Sequence, residues 1–244
     1  DILERCGGYL TGQAWPDEKD IVTVMTVDRQ QLYLVYVVRQ WRRTGESRLV
    51  ECGTVASYDD LRAYQIEKRI RDRCVWGDDG GRDTARWRQT ALRMGWNVVK
   101  GEDAKSYTIQ EKEGNFRQGW RRNDADPGIG TINQGRATIP IWLWARPWFL
   151  DKLYNLIIPG LGPSWMLPDD ISTEYARQLK SNEQRDKRHA DGSSTTYWHT
   201  TGPDHYADCE LMQLVVADIA GITRKLPAKL PSAVSPPIPV PVHE

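Results

Sequence analysis

The spacing of apolar residues predicts a strand-rich first part of the chain. Residues 21–28, IVTVMTVD, form a β-branched apolar run between charged segments, which is typical of a central strand that ends on Asp28. Residues 32–41 and 48–56 continue the strand pattern on either side of a turn at residues 44–46. These runs predict an antiparallel three-stranded meander.

The pattern then alternates between helical and strand spacing. The predicted elements are a helix over 58–71, a strand over 73–77, a helix over 83–94 and a strand over 96–100. Ser57 with Asp60 is typical of a helix start, and Gly95 is typical of a helix stop. The resulting order, βββαβαβ, predicts an α/β fold whose mixed central sheet has three antiparallel strands, then parallel strands, and is flanked by helices.

The second half of the chain is less regular. Residues 103–165 contain one strand-like run over 137–145 and are interpreted as an insertion with a hairpin or extra strand. Residues 169–190 predict a polar helix that breaks at 191–194, and residues 203–220 predict a last helix that begins at a proline and stops before a glycine.

This pattern predicts one folded domain over residues 21–224. A linker-like segment over 1–20 leads into it, and a proline-rich flexible tail over 225–244 follows it. Because the chain begins without Met, we interpret it as part of a longer protein.

Composition narrows the class of protein. Lys and Arg total 33, as do Asp and Glu, so the net charge of zero excludes a generic polyanion binder and leaves nucleic-acid contact to local basic patches. The four cysteines form no CxxC pair, which disfavours a zinc site and favours a reduced, intracellular setting. No apolar stretch is long enough to span a bilayer, so no membrane partner is expected. Many of the 11 tryptophans neighbour an arginine, and we expect most of them in the core.

Three aspartates fall where the predicted elements meet one edge of the sheet. Asp28 ends the first strand, Asp78 follows the fourth, and Asp208 lies on the apolar stripe with which the last helix must pack. If the first and fourth strands are parallel neighbours, these carboxylates reach one pocket, where they repel one another unless cations bind. Oxygen ligands of this kind suit Mg²⁺ or Mn²⁺.

The three acids predict a site for two-metal phosphodiester hydrolysis. Two divalent cations about 4 Å apart can activate water and stabilise the attacking and leaving oxygens. Asp28 is expected to bridge the ions, and Asp78 and Asp208 to complete one site each. His205, one turn before Asp208, is expected to ligate a metal or to carry a proton for the leaving group. Each residue also has a purely structural reading, because aspartate is common in turns and His205 can be a surface or capping residue.

Four stretches carry a resemblance to a known family. They are TVDRQQLYLVYV at 26–37, VWGDDGGRDTARW at 75–87 with GWNVVKGE at 95–102, EYARQLKSNE at 174–183, and YWHTTGPDHYADCELMQL at 197–214. With the element order, they resemble the ribonuclease H-like superfamily and, more narrowly, the C-terminal nuclease domain of tailed-phage large terminase subunits, particularly the lambda-like group. The metal-binding acids of that family map onto Asp28, Asp78 and Asp208, and its HxxD spacing maps onto His205 and Asp208.

The resemblance implies a metal-dependent endonuclease that cuts concatemeric double-stranded DNA during viral genome packaging, in the cytoplasm of the infected host cell. The complete protein is then expected to carry an ATPase motor domain and to bind the capsid portal and a small terminase subunit. ATPase activity is not expected of this chain, because it has no GxxxxGK[ST] phosphate loop.

Basic residues near the predicted pocket are candidates for contacts with DNA. Lys100, at the end of the fifth predicted strand, and Arg82 and Arg86 could contact phosphates, although a solvated charged face is the alternative reading. Because phosphate contacts carry no sequence information, we expect little sequence specificity from this domain.

Two other classes of function fit the same residues. Another ribonuclease H-like polynucleotidyl transferase, such as a transposase or junction resolvase, would use the same metals and would be distinguished by a strand-transfer assay. A non-catalytic module that docks on DNA or on the portal would use the acids for structure alone.

Overall fold

The structure, a computed structural model, describes residues 2–16, 19–81, 83–111, 114–125, 138–158 and 162–223. Its strands are β1 (Ile21–Arg29), β2 (Leu34–Arg42), β3 (Ser47–Val55), β4 (Val75–Asp78), β5 (Asn97–Glu102), β6 (Tyr107–Glu111), β7 (Gly114–Gln118), β8 (Trp120–Ala125), β9 (Ile139–Ala145), β10 (Trp165–Met166), β11 (Asn182–Arg188) and β12 (Ser194–Thr200). Its α-helices are α1 (Tyr58–Glu67), α2 (Thr84–Met94), α3 (Arg146–Ile157), α4 (Thr173–Leu179) and α5 (His205–Ile219).

One mixed sheet organises the fold. Within the described residues it has eight strands in the order β10-β3-β2-β1-β4-β5-β9-β8. Strands β1, β2 and β3 pair antiparallel, whereas β1, β4, β5 and β9 run parallel to one another. The antiparallel meander followed by parallel strands is the ribonuclease H-like arrangement that the sequence predicts, so the predicted fold class is confirmed.

Each face of the sheet has its own core, because successive residues of a strand point to opposite faces. Val24 of β1 packs in the core under α3, α4 and α5, whereas Met25 and Val27 pack in the core that contains Leu61 of α1 and Trp87 of α2. Seven of the 11 tryptophans are buried and the other four are partly buried, which confirms that most of them are core residues.

Close packing of α2 on β4 positions the loop that follows β4. A Cβ atom at Gly77 would lie only 2.3 Å from Cζ2 of Trp87, a side chain that is fully buried. Glycine therefore lets the indole approach the strand backbone directly. Asp78, one residue further on, ends the strand.

The predicted helix over 169–190 is wrong. Helix α4 covers only Thr173–Leu179, and the residues after it form a hairpin of β11 and β12, with Gly192 at a φ of +82° in the turn. The apolar spacing that suggested one helix ends with Leu179, and residues 183–188 are exposed, so no apolar stripe remains to pack.

The first segment differs from the predicted division of the chain. Residues 2–16 pack on the domain instead of forming a linker: Tyr9 Oη donates to the Leu49 carbonyl at 2.9 Å, and Trp15 is buried. Residues 103–165 contain the hairpin and the extra strand that the sequence predicts: β6 and β7 form a hairpin, and β8 and β9 extend the main sheet, with β9 paired to β5. The predicted proline-rich tail lies outside the described residues. In the part of the chain that is described, no helix is long and apolar enough to cross a membrane.

Candidate active site

Asp28 and Asp78 stand at the ends of two neighbouring parallel strands. Val27 of β1 pairs with Gly77 of β4, so the two aspartates follow at the same level of the sheet. Helix α5 packs across these strands, with Thr26 Oγ1 donating to the Cys209 carbonyl at 2.9 Å. The first turn of α5 therefore lies beside both strand ends.

Asp28 is the most enclosed of the three acids. It is 7% exposed, and its Oδ2 accepts a hydrogen bond from Gln30 Nε2 at 2.6 Å and lies 2.9 Å from His205 Nδ1. Burial raises the pKa of this carboxyl above its ordinary value, although His205 and Gln30 act in the opposite direction. The structure thus brings Asp28 and His205 into direct contact.

Asp78 is held by the backbone of its own loop. Its Oδ2 accepts from the Gly80 N–H at 2.7 Å, and Arg29 donates to the carbonyls of Asp78 at 2.7 Å and of Gly80 at 2.5 Å. Burial and, to a smaller extent, the charge of Asp28 raise the pKa of Asp78 to about 6.

The neighbouring Asp79 has a structural role. Arg88 of α2 contacts both of its carboxylate oxygens, with Nε at 2.9 Å and Nη2 at 2.6 Å, and the Asp79 side chain is 0% exposed. This two-pronged ion pair anchors the loop to α2.

Asp208, in the first turn of α5, contacts a residue that sequence reasoning missed. Arg146, the first residue of α3, places Nη2 3.1 Å from Asp208 Oδ1 and 2.5 Å from Asp204 Oδ2. Burial raises the pKa of Asp208, Arg146 opposes this rise, and the charges of Asp204 and Asp28 add to it. The available signal for Arg146 was its position directly after a buried apolar strand.

The predicted DNA contacts divide between two clefts. Lys100 is exposed and lines a cleft of about 550 Å³ together with Asp78, Arg146 and Asp208. Arg86 lines a different cleft, beside Tyr58, and its guanidinium lies 5.9 Å from the centroid of the Tyr58 ring. Arg82 lies outside the described residues.

The donor set of this cluster fits a hard divalent cation in its chemistry. Asp28, Asp78 and Asp208 offer carboxylate oxygens, the donors that Mg²⁺ and Mn²⁺ prefer. Among the described residues, however, no group of three or more His, Cys, Asp or Glu is gathered closely enough to hold a metal ion. Instead, protein groups engage each carboxylate, and Arg146 engages Asp208.

Comparison with known proteins finds similarity to a solved structure but no match in sequence. No family model matches the sequence, and a search of curated proteins finds no match. The chain is similar to the crystal structure of the large terminase nuclease from thermophilic phage G20c with bound magnesium, with a TM-score of 0.44 and 13% sequence identity over 86% of this chain and 92% of that chain. The fold class follows from the observed strand order, and membership of the lambda-like group stays a prediction.

Proposed function

We propose that this chain is a metal-dependent endonuclease that cuts double-stranded DNA by two-metal-ion phosphodiester hydrolysis. One observation carries the proposal: Asp28, Asp78 and Asp208 lie at one end of the sheet, where burial, and to a smaller extent the charge of Asp28, raises the pKa of the other two. Such a desolvated cluster of like charges is unfavourable in itself, and clusters of this kind concentrate at functional sites. The open cleft gives a substrate access to Asp78 and Asp208.

The proposed roles follow from the position of each side chain. Asp28, Asp78 and Asp208 would hold two divalent cations, Mg²⁺ or Mn²⁺, which when bound supply an activated water and stabilise charge on the phosphodiester oxygens. His205 directs Nδ1 at Asp28, so its Nε2 would be the atom that exchanges a proton with the leaving group. Lys100, on the rim of the same cleft, would bind a DNA phosphate.

The biological setting of the proposal comes from the sequence resemblance. We propose that the chain is the nuclease domain of a terminase large subunit of the lambda-like group, which cuts concatemeric viral DNA in the cytoplasm of the infected host. In the complete protein it would be joined to an ATPase motor domain and would work with the capsid portal and a small terminase subunit.

Cleavage of supercoiled plasmid tests the proposed activity. The purified chain is expected to nick and linearise DNA with Mn²⁺ or Mg²⁺ and to be inactive in EDTA. Asp28→Asn, Asp78→Asn and Asp208→Asn should each lower the rate by more than the roughly 100-fold that is lost when residues supporting a metal ligand are replaced. Asp59→Asn is the matched control, because it makes the same change at an exposed position in α1 and should leave cleavage unchanged.

The other outcomes identify the competing functions. A folded chain that cleaves with neither metal would contradict the nuclease and favour a docking module. Joining of a marked donor end to the plasmid would favour a polynucleotidyl transferase.

A further inference from the structure

A protein cation stands at the mouth of the acidic cluster. Arg146 lines the same cleft as Asp78 and Asp208, and its side chain is 22% exposed. Nη2 lies 2.5 Å from Asp204 Oδ2, 3.1 Å from Asp208 Oδ1 and 3.2 Å from Asn182 Oδ1, and Nε lies 3.4 Å from the same Asp208 oxygen. One guanidinium thus contacts both acids at the start of α5.

The fold fixes the backbone from which this guanidinium extends. Arg146 follows β9 without a connecting loop, and α3 is anchored behind it by Phe149 and Leu153, both 0% exposed. The side chain itself is long and reaches the cleft, so it can move while its backbone stays in place. The guanidinium brings a positive charge and several N–H donors into the cleft.

The shorter of the two acid contacts is with Asp204. If the guanidinium moves off Asp208, it keeps a charged partner in Asp204 and a polar one in Asn182. Releasing Asp208 therefore does not leave the arginine without a counter-charge, which lowers the cost of the movement.

On the basis of the proposed function, we propose that Arg146 is a built-in competitor for the metal. Its guanidinium occupies the Asp208 carboxylate in the metal-free protein, and it must leave that carboxylate before a divalent cation can bind there. Asp204 is the anchor that retains the guanidinium after the exchange. A metal-binding site regulated in this way is complete only in molecules whose Asp208 is free.

The consequence is a weakened apparent affinity for metal. A ligand that binds only one conformation has its affinity reduced by the fraction of molecules in that conformation. Removing the competing guanidinium should therefore tighten metal binding even in the absence of DNA.

Calorimetric titration of the chain with MnCl₂ and with MgCl₂ tests the inference without a cleavage assay. Arg146→Gln is expected to lower the Kd for metal by about tenfold. This is the change expected if Asp208 is free of Arg146 in roughly a tenth of wild-type molecules and in all molecules of the variant. Lys100→Gln is the matched control. It removes the same charge from the same cleft, and no ion pair of Lys100 with an acid is present among the described residues. Lys100→Gln should change the Kd for metal by no more than about threefold, because the charge of Lys100 acts on the acids through solvent.

A second variant covers the case in which Arg146→Gln does not fold. Arg146→Lys keeps the charge but replaces the planar fork by a point charge, which cannot contact both acids in the same way, so its Kd should lie between those of the wild type and Arg146→Gln. Equal Kd changes for Arg146→Gln and Lys100→Gln would overturn the inference and leave the proposed metal site intact. Absence of metal binding in every folded variant and in the wild type would overturn both.

Discussion

The last helix carries acidic side chains in two different settings. Glu210 and Asp218 are buried in the core, where each is paired with one basic residue, Arg39 and Lys152 respectively. Asp208, on the same helix, faces an open cleft shared with other acids. Comparing the closed pairs with the open cluster separates charges that hold the fold from charges that are available for chemistry.

In the closed setting, the buried acid lies directly beside a buried base of opposite charge. Arg39 contacts both oxygens of Glu210, at 2.9 Å and 3.0 Å, and Tyr175 Oη donates to Glu210 Oε1 at 2.6 Å. The side chains of Arg39 and Glu210 are 0% exposed. Such a network satisfies its own charges with protein groups.

The open setting has an excess of negative charge. Asp28, Asp78, Asp204 and Asp208 share it with the guanidinium of Arg146. Burial, and to a smaller extent neighbouring acids, raises the pKa of each of Asp28, Asp78 and Asp208. A buried acid that is paired with a basic residue therefore indicates a structural role. A group of acids at a sheet edge with too few cations indicates a candidate ligand site.

Breaking a closed pair should produce the largest loss of stability. Arg39→Ala leaves the Glu210 carboxylate buried without its counter-charge, and we expect it to lower the free energy of unfolding by about 3–5 kcal/mol, measured by urea denaturation. Arg177→Ala is the matched control, because Arg177 grips Glu174 with the same fork at 2.8 Å and 2.7 Å but on the exposed surface. Equal losses in the two variants would contradict the distinction between closed and exposed pairs.

Displacing one acid of the open cluster should affect activity more than stability. A Cβ atom at Gly80 would lie 2.4 Å from Asp78 Oδ2, so Gly80→Ala must turn the carboxylate away from its present position. The end of a side chain can move at little cost, and we expect plasmid cleavage to fall by about 100-fold, as for a misplacement near 1 Å, while the urea midpoint changes little.

Gly202→Ala controls for the loss of glycine itself. A Cβ atom at Gly202 would approach only Arg177 Nη1, at 3.9 Å, which is ordinary contact. Cleavage by Gly202→Ala should match the wild type. A Gly80→Ala chain that cleaves at the wild-type rate would show that the position of Asp78 is unimportant for the reaction.

Features set by local sequence could be predicted, whereas contacts between distant parts of the chain could not. Local periodicity was enough to predict β1 to β5 and α5. The sequence placed Asp28 and Asp78 together only on the condition that β1 and β4 are parallel neighbours, and the structure meets that condition. Arg146 reaches Asp208 across 62 positions of the chain, and no local pattern encodes such a contact. The hairpin of β11 and β12 was missed because strands that bury no apolar face lack the alternation by which strands are recognised.

The smallest expected effect is the pH dependence of stability in metal-free protein. The pKa of Asp78 rises from 3.8 to about 6 on folding, so the folded state binds this proton more tightly than the unfolded state. The resulting stabilisation is fully present below pH 3.8 and is lost as the pH rises through about 6.

Urea denaturation in EDTA at pH 5 and pH 7 measures this loss. Asp78→Asn keeps an oxygen that can accept from the Gly80 N–H but cannot titrate, so it should be more stable than the wild type at pH 7 by about 1–2 kcal/mol, with a smaller difference at pH 5. This expected difference is smaller than the free energy that corresponds to the whole pKa shift, because water in the cleft screens the charge. Asp59→Asn, at an exposed position, should follow the wild-type profile. A constant difference between Asp78→Asn and wild type across this range would mean that Asp78 is already well solvated, and the contrast with the closed pairs would then not extend to this acid.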